Sequence, residues 1–110
     1  MKTVAPTRST MLLESLKSRL QAVYGDQLRR VVLYGSEARG EATAESDVDI
    51  LVILAGPVSF GRDLQTIVQA LYPLQLELER PLEAIPVDEG RYLSGDYAFF
   101  RNVQKEGLAA

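Results

Sequence analysis

Val31-Val32-Leu33-Tyr34-Gly35-Ser36-Glu37-Ala38-Arg39-Gly40 and Asp47-Val48-Asp49-Ile50-Leu51-Val52-Ile53-Leu54 stand one short loop apart, and between them they frame the chain. Val31 to Tyr34 is a β-branched-rich run that stops abruptly at Gly35, the pattern of a buried strand. Val48 to Leu54 is the strongest strand signal. Its two faces, Asp49/Leu51/Ile53 and Val48/Ile50/Val52/Leu54, are both apolar beyond the first positions. A strand covered on both faces is normally central in its sheet. Between the two runs, Glu37 to Thr43 is a polar stretch interrupted by glycine, read as one helical turn and a loop. Ala55-Gly56-Pro57 ends the second strand.

Working outward, Ser9 or Thr10 is placed to cap a helix running to about Tyr24, with Leu12, Leu16, Leu20 and Val23 as its apolar stripe. Gly25-Asp26 punctuates its end. A second helix is expected from about Ser59, with Leu64, Ile67, Val68 and Leu71 inward. Pro73 interrupts it, so Leu74/Leu76/Leu78 reads either as a continuing helix or as a short extended piece. Leu82 to Val87 is a third strand, and Pro86 argues that it lies at a sheet edge or ends there. Asp88 to Arg91 reads as a solvated loop. A turn at Ser94-Gly95 and a short helix carrying Phe99, Phe100 and Val103, closed by Gly107, complete the chain. Tyr97, Phe99 and Phe100 are expected in the core rather than as a base-stacking platform. The order α-β-(α)-β-α-β-α predicts one α/β (α+β) domain over residues 1–110, a small mixed sheet of three or more strands packed against helices.

Composition narrows the chemistry. The chain has neither cysteine nor histidine, which excludes disulfides, thiolate metal sites and every Ser-His triad. Any chemistry must run on Asp, Glu, Lys, Arg, Ser, Thr or Tyr, with hard cations as natural helpers. The net charge of −3 and the lack of a basic stripe argue against direct binding of long nucleic acid. No apolar run spans a bilayer, and the first ten residues hold no signal-like core, so no membrane association and a cytoplasmic location are expected.

Gly35, directly after a strand, allows a tight turn and leaves its amide open to an incoming phosphate. Ser36 adds a hydroxyl, and a following helical turn would point more amides at the same anion. Asp47 and Asp49, two apart on a strand, project from one face roughly 7 Å apart at the backbone. Carboxylates this close repel unless a cation lies between them, and Mg²⁺ characteristically takes one or two carboxylates plus substrate phosphates. In-line phosphoryl or nucleotidyl transfer is the expected chemistry. Alone, the aspartate pair reads equally as solvated charge at a strand start; the Gly35-Ser36 spacing shifts the balance. Ser46 reads as a local turn residue. Arg39 is placed either to steady triphosphate charge or simply as an exposed arginine on a short helix.

Gly35-Ser36, ten residues, then Asp47-x-Asp49 resembles the signature of the DNA polymerase beta-like nucleotidyltransferase superfamily. The longer string from Tyr34 to Gly40 and from Ser46 to Val52 is most similar to its minimal nucleotidyltransferase branch. That resemblance implies the nucleotidyltransferase fold, Mg²⁺ held by Asp47 and Asp49, and a nucleoside triphosphate, ATP by expectation, at Gly35, Ser36 and Arg39. It also implies a third carboxylate from a later strand, where the family carries Asp. Here the candidate is Glu83, equally readable as a strand-surface charge, with Asp88 as the fallback.

Larger members of the superfamily add an acceptor-binding domain, which this sequence does not show. The resemblance to the minimal branch therefore implies a partner, commonly a HEPN protein, with the nucleotidyltransferase as antitoxin to a HEPN ribonuclease toxin. In that expectation AMP moves from ATP to a hydroxyl of the partner. The alternatives are a binding module that neutralises a partner by contact alone, and a nucleotide-sensing subunit. A homodimer burying the apolar C-terminal residues is a further expectation left open.

Overall fold

The computed structural model describes residues 7–110. Its elements follow the expected order with additions at the C-terminal end. Helix α1 is Arg8–Tyr24, strand β1 Leu28–Tyr34, helix α2 Ser36–Arg39, strand β2 Val48–Leu54 and helix α3 Phe60–Glu77. Strand β3 is Leu82–Asp88, helix α4 Glu89–Leu93, helix α5 Ala98–Glu106 and strand β4 Leu108–Ala109.

The N-cap of α1 is Thr7, whose side chain accepts from the Thr10 amide at 3.1 Å, rather than Ser9 or Thr10. Ser9 instead turns its hydroxyl to Glu37. The stripe that α1 buries is Leu13, Leu16 and Leu20; Leu12 is partly buried and Val23 is exposed. β1 starts at Leu28, earlier than its apolar run, with a bulge in its pairing to β2 between Leu28 and Arg30. α3 continues through Pro73, because Leu71 and Leu74 on either side of it are drawn into the core. That burial outweighs the loss of one helical hydrogen bond. Val68 turns outward instead.

Two C-terminal elements depart from expectation. The stretch after Asp88 is a helix, α4, because the Asp88 carboxylate caps it by accepting from the Arg91 amide at 3.2 Å. Leu108 and Ala109 form a fourth strand paired to Val32 and Leu33. Val103 is buried and Leu108 partly so within their own chain, while Leu93, Tyr97 and Phe99 stay exposed.

The sheet order is β3-β2-β1-β4, with β2 parallel to β3 and the other pairs antiparallel. β2 is internal as expected, and β3 with Pro86 is an edge. One face of the sheet carries Val31, Leu33, Val48, Ile50 and Val52 against α1 and α3, whose Leu16, Leu20 and Ile67 are fully buried. Tyr24 ties those two helices by donating to Asp63 at 2.8 Å. The other face carries Val32, Leu51, Ile53 and Val87 against Tyr92 and Val103 of α4 and α5. Among the described residues no helix is long and apolar enough to cross a membrane.

Candidate active site

Register brings the polar residues together. Tyr34 of β1 pairs with Asp49 of β2, and Asp49 pairs with Glu83 of β3. Residues directly opposite on neighbouring strands point to the same side of a sheet, so these three form a row on one face. It is the face that α4 and α5 cover further along. Asp47 lies one residue before β2, two before Asp49, and so extends the row off the sheet end. Asp88, at the other end of β3, pairs with Leu54 and belongs to the α4 cap. It is Glu83 that stands beside the aspartates.

The turn at Gly35 presses the backbone against this row. Gly35 has φ +72°, and a Cβ there would stand 2.6 Å from Asp49 Oδ2. Glycine is therefore required twice, for its conformation and for the approach of the carboxylate. Ser36 begins α2 immediately after, and Gly40 ends it in the left-handed region.

Electrostatics confirms the crowding. Asp49 is pushed above the usual carboxylate range by burial and then by the charge of Asp47. Glu83 is pushed up chiefly by Asp47, with smaller contributions from burial, from Asp49 and from a hydrogen bond to Asp47. Burial, Asp49 and Glu83 raise the Tyr34 phenol in turn. Groups that resist ionisation because of one another are the donor set a divalent cation relieves. Among the described residues no three acidic side chains group as a ready-made metal site. Asp47, Asp49 and Glu83 are the candidate donors brought together at this end of the sheet.

The loop that delivers Asp47 is braced from below. Glu37 is only 6% exposed. It accepts from Ser9 Oγ at 3.0 Å, and its other oxygen lies 2.8 Å from Arg80 Nη2. That nitrogen has no aligned hydrogen-bond acceptor, so the contact is an ion pair more than a directed bond. Arg80 Nε donates to the Ser46 carbonyl at 2.8 Å, next to Asp47. Ser46 is the turn residue expected of it, with Oγ accepting from the Thr43 amide at 3.0 Å. Arg39 is largely exposed and paired with Glu41 at 3.0 Å. The sequence offered no pattern for Tyr34 or for the Glu37–Arg80 brace.

The family described as nucleotidyltransferase domain matches residues 10–98. The chain belongs to that family. Two curated relatives come from Methanocaldococcus jannaschii. The nucleotidyltransferase domain described here is 30% identical over 88 residues to "Putative protein adenylyltransferase MJ0604", spanning 80% of this chain and 83% of that one. It is 40% identical over 43 residues to "Putative protein adenylyltransferase MJ0141", spanning 39% of this chain and 43% of that one. Among solved structures, a "putative nucleotidyltransferase" from Sulfolobus solfataricus superposes with a TM-score of 0.57 at 19% identity, covering 97% of this chain and 90% of that one. A toxin–antitoxin MntA-HpeT structure gives 0.57 at 20% identity, covering 88% and 70%. The nucleotidyltransferase domain thus has the mixed-sheet fold of its family.

Proposed function

We propose that this nucleotidyltransferase transfers AMP from ATP to a hydroxyl group of a partner protein, in the cytoplasm, as the antitoxin of a HEPN-type toxin. The observation that carries this reading is the row Asp49–Glu83 beside Gly35, with Asp47 at its end. It is supported by the names of the two relatives as protein adenylyltransferases and by the fold shared with a toxin–antitoxin structure.

In this reading Asp47, Asp49 and Glu83 hold Mg²⁺, and Gly35 and Ser36 offer an amide and a hydroxyl to the β- and γ-phosphates. Arg39 stands at the far end of α2, able to leave Glu41 for the triphosphate. The metal, when bound, neutralises charge on the α-phosphate and the leaving oxygens. Glu83 accepts the proton of the acceptor hydroxyl. The acceptor oxygen bonds to the α-phosphorus as the bond to the β-phosphate oxygen breaks, and pyrophosphate leaves. Glu83 lies on the open edge of the sheet, where a folded protein can bring its hydroxyl.

Calorimetric titration of ATP with and without Mg²⁺, on wild type and the Asp47→Asn/Asp49→Asn double variant, tests the site. Metal-dependent binding that the double variant loses is expected. Transfer is then read as the mass of one AMP unit gained by a co-expressed partner. A partner silenced equally by Asp47→Asn would sink the enzymatic reading and leave a module acting by contact.

A further inference from the structure

Tyr97 and Phe99, at the start of α5, take no part in the chemistry above and are not core, whereas Phe100 packs partly buried against it. Tyr97 and Phe99 are 46% and 48% exposed, against the burial their type suggested. Phe100 anchors them. Its ring lies 5.8 Å from buried Tyr92, 5.7 Å from Tyr97 and 5.5 Å from Phe99. Phe99 in turn meets Tyr34 in a T-shaped pair, 5.5 Å between centroids and 86° between planes. Tyr34 is the residue in register with Asp49. A ladder of rings therefore climbs from the core at Tyr92 to the row of carboxylates, and its last member keeps half its surface open. Such pairs fix ring orientation, so Phe99 is presented and not merely exposed.

We propose that Phe99, braced by Tyr34 and Phe100, is the stacking platform for the nucleobase of the donor nucleotide. This rests on the nucleotide site proposed above: phosphates at Gly35 and Ser36 with metal at Asp47 and Asp49 leave the nucleoside within reach of the ring next to Tyr34. Stacking reads ring area and tolerates any base, because every base has a π-face. Several polar side chains of this layer are held within it: Arg91 lies over the Tyr97 ring at 5.7 Å, Arg101 donates to the Gly95 carbonyl and Gln104 to the Tyr92 carbonyl. Stacking on Phe99 ranks nucleotides by ring area, with ATP and GTP held more tightly than CTP and UTP.

The test compares MgATP with magnesium tripolyphosphate, which has the phosphates and no base. Wild type, Phe99→Ala and Phe99→Trp are titrated with both ligands by calorimetry, with circular dichroism to confirm the fold. The chain has no tryptophan, so Phe99→Trp installs its sole tryptophan at the platform, excited selectively beyond the tyrosine band. Phe99→Ala should weaken MgATP about tenfold or more and leave tripolyphosphate unchanged. Phe99→Trp should restore MgATP affinity, its fluorescence quenched by ATP and not by tripolyphosphate. Unchanged MgATP affinity in Phe99→Ala overturns the platform while the phosphate site stands, and assigns the open rings to contact with a protein. An equal loss of both ligands overturns it as a general structural effect. Failure of wild type to bind either ligand overturns the nucleotide site and the platform with it.

Discussion

Asp49 can approach Gly35 so closely only because position 35 has no side chain, and the two residues together show what the motif is for. The glycine seats a tight turn against a carboxylate, and the carboxylate stands among others that do not want to share its charge. Asp49 and Glu83 are both raised above their ordinary values. A carboxyl whose folded pKa is raised contributes stability fully below its unfolded pKa and loses it as pH rises through the folded one. In the absence of divalent cation, Asp49→Asn should therefore melt at a higher temperature than wild type at neutral pH, and the difference should shrink as the pH falls into the acid range. Mg²⁺ with ATP should reverse the order by stabilising wild type alone. A thermal melt at neutral and acid pH, with and without ligand, measures all of this. Equal melting of the two proteins at neutral pH would contradict the charge crowding. The aspartates were legible because strand period and motif spacing fix them locally. Glu83 was not legible beyond a choice with Asp88, since its place depends on the register of a parallel pair formed across an intervening helix.

At the scale of elements, the loop between α2 and β2 is held by a pair that never touches the reacting groups. Glu37 on α2 and Arg80 before β3 pair beneath it, and Arg80 also holds the Ser46 carbonyl. Removing one partner of a buried pair leaves an uncompensated charge. Arg80→Ala should cost toward the lower end of about 3–5 kcal/mol, because Arg80 keeps 17% of its side chain exposed. Urea unfolding gives that figure. A double-mutant cycle with Glu37→Gln should show the two losses to be far from additive, while additive losses would mean the pair is incidental. Affinity for MgATP should fall with Arg80→Ala as the Asp47 loop loosens. Neither residue carries a sequence signal for this role, as they lie 43 positions apart and meet only in the fold. The same limit explains α4 and β4: one depends on a single capping carboxylate, the other on two residues recruited by a strand already in place.

At the scale of the molecule, the sheet divides two unequal cores among the described residues. The α1/α3 side gathers twelve buried residues, including most of β2's inward side chains. The α4/α5 side gathers six, of which Tyr92 and Val103 alone come from the helices. Buried apolar area sets most of the resistance to local opening, so the smaller layer opens at lower free energy than the larger. This is also the layer whose rings border the candidate site, and the exposed end of α5 bears Phe99. The arrangement puts the rigid side of the fold under the strand that carries Asp49 and the yielding side next to the candidate site. Native-state hydrogen exchange should show the amides of α5 exchanging by a partial opening, well before those of α1, α3 and β2, which should require global unfolding. MgATP should slow exchange in α5 more than in α1. If α5 exchanges together with α1 in one cooperative step, the two layers are a single unit, and nucleotide binding has no separate layer to order.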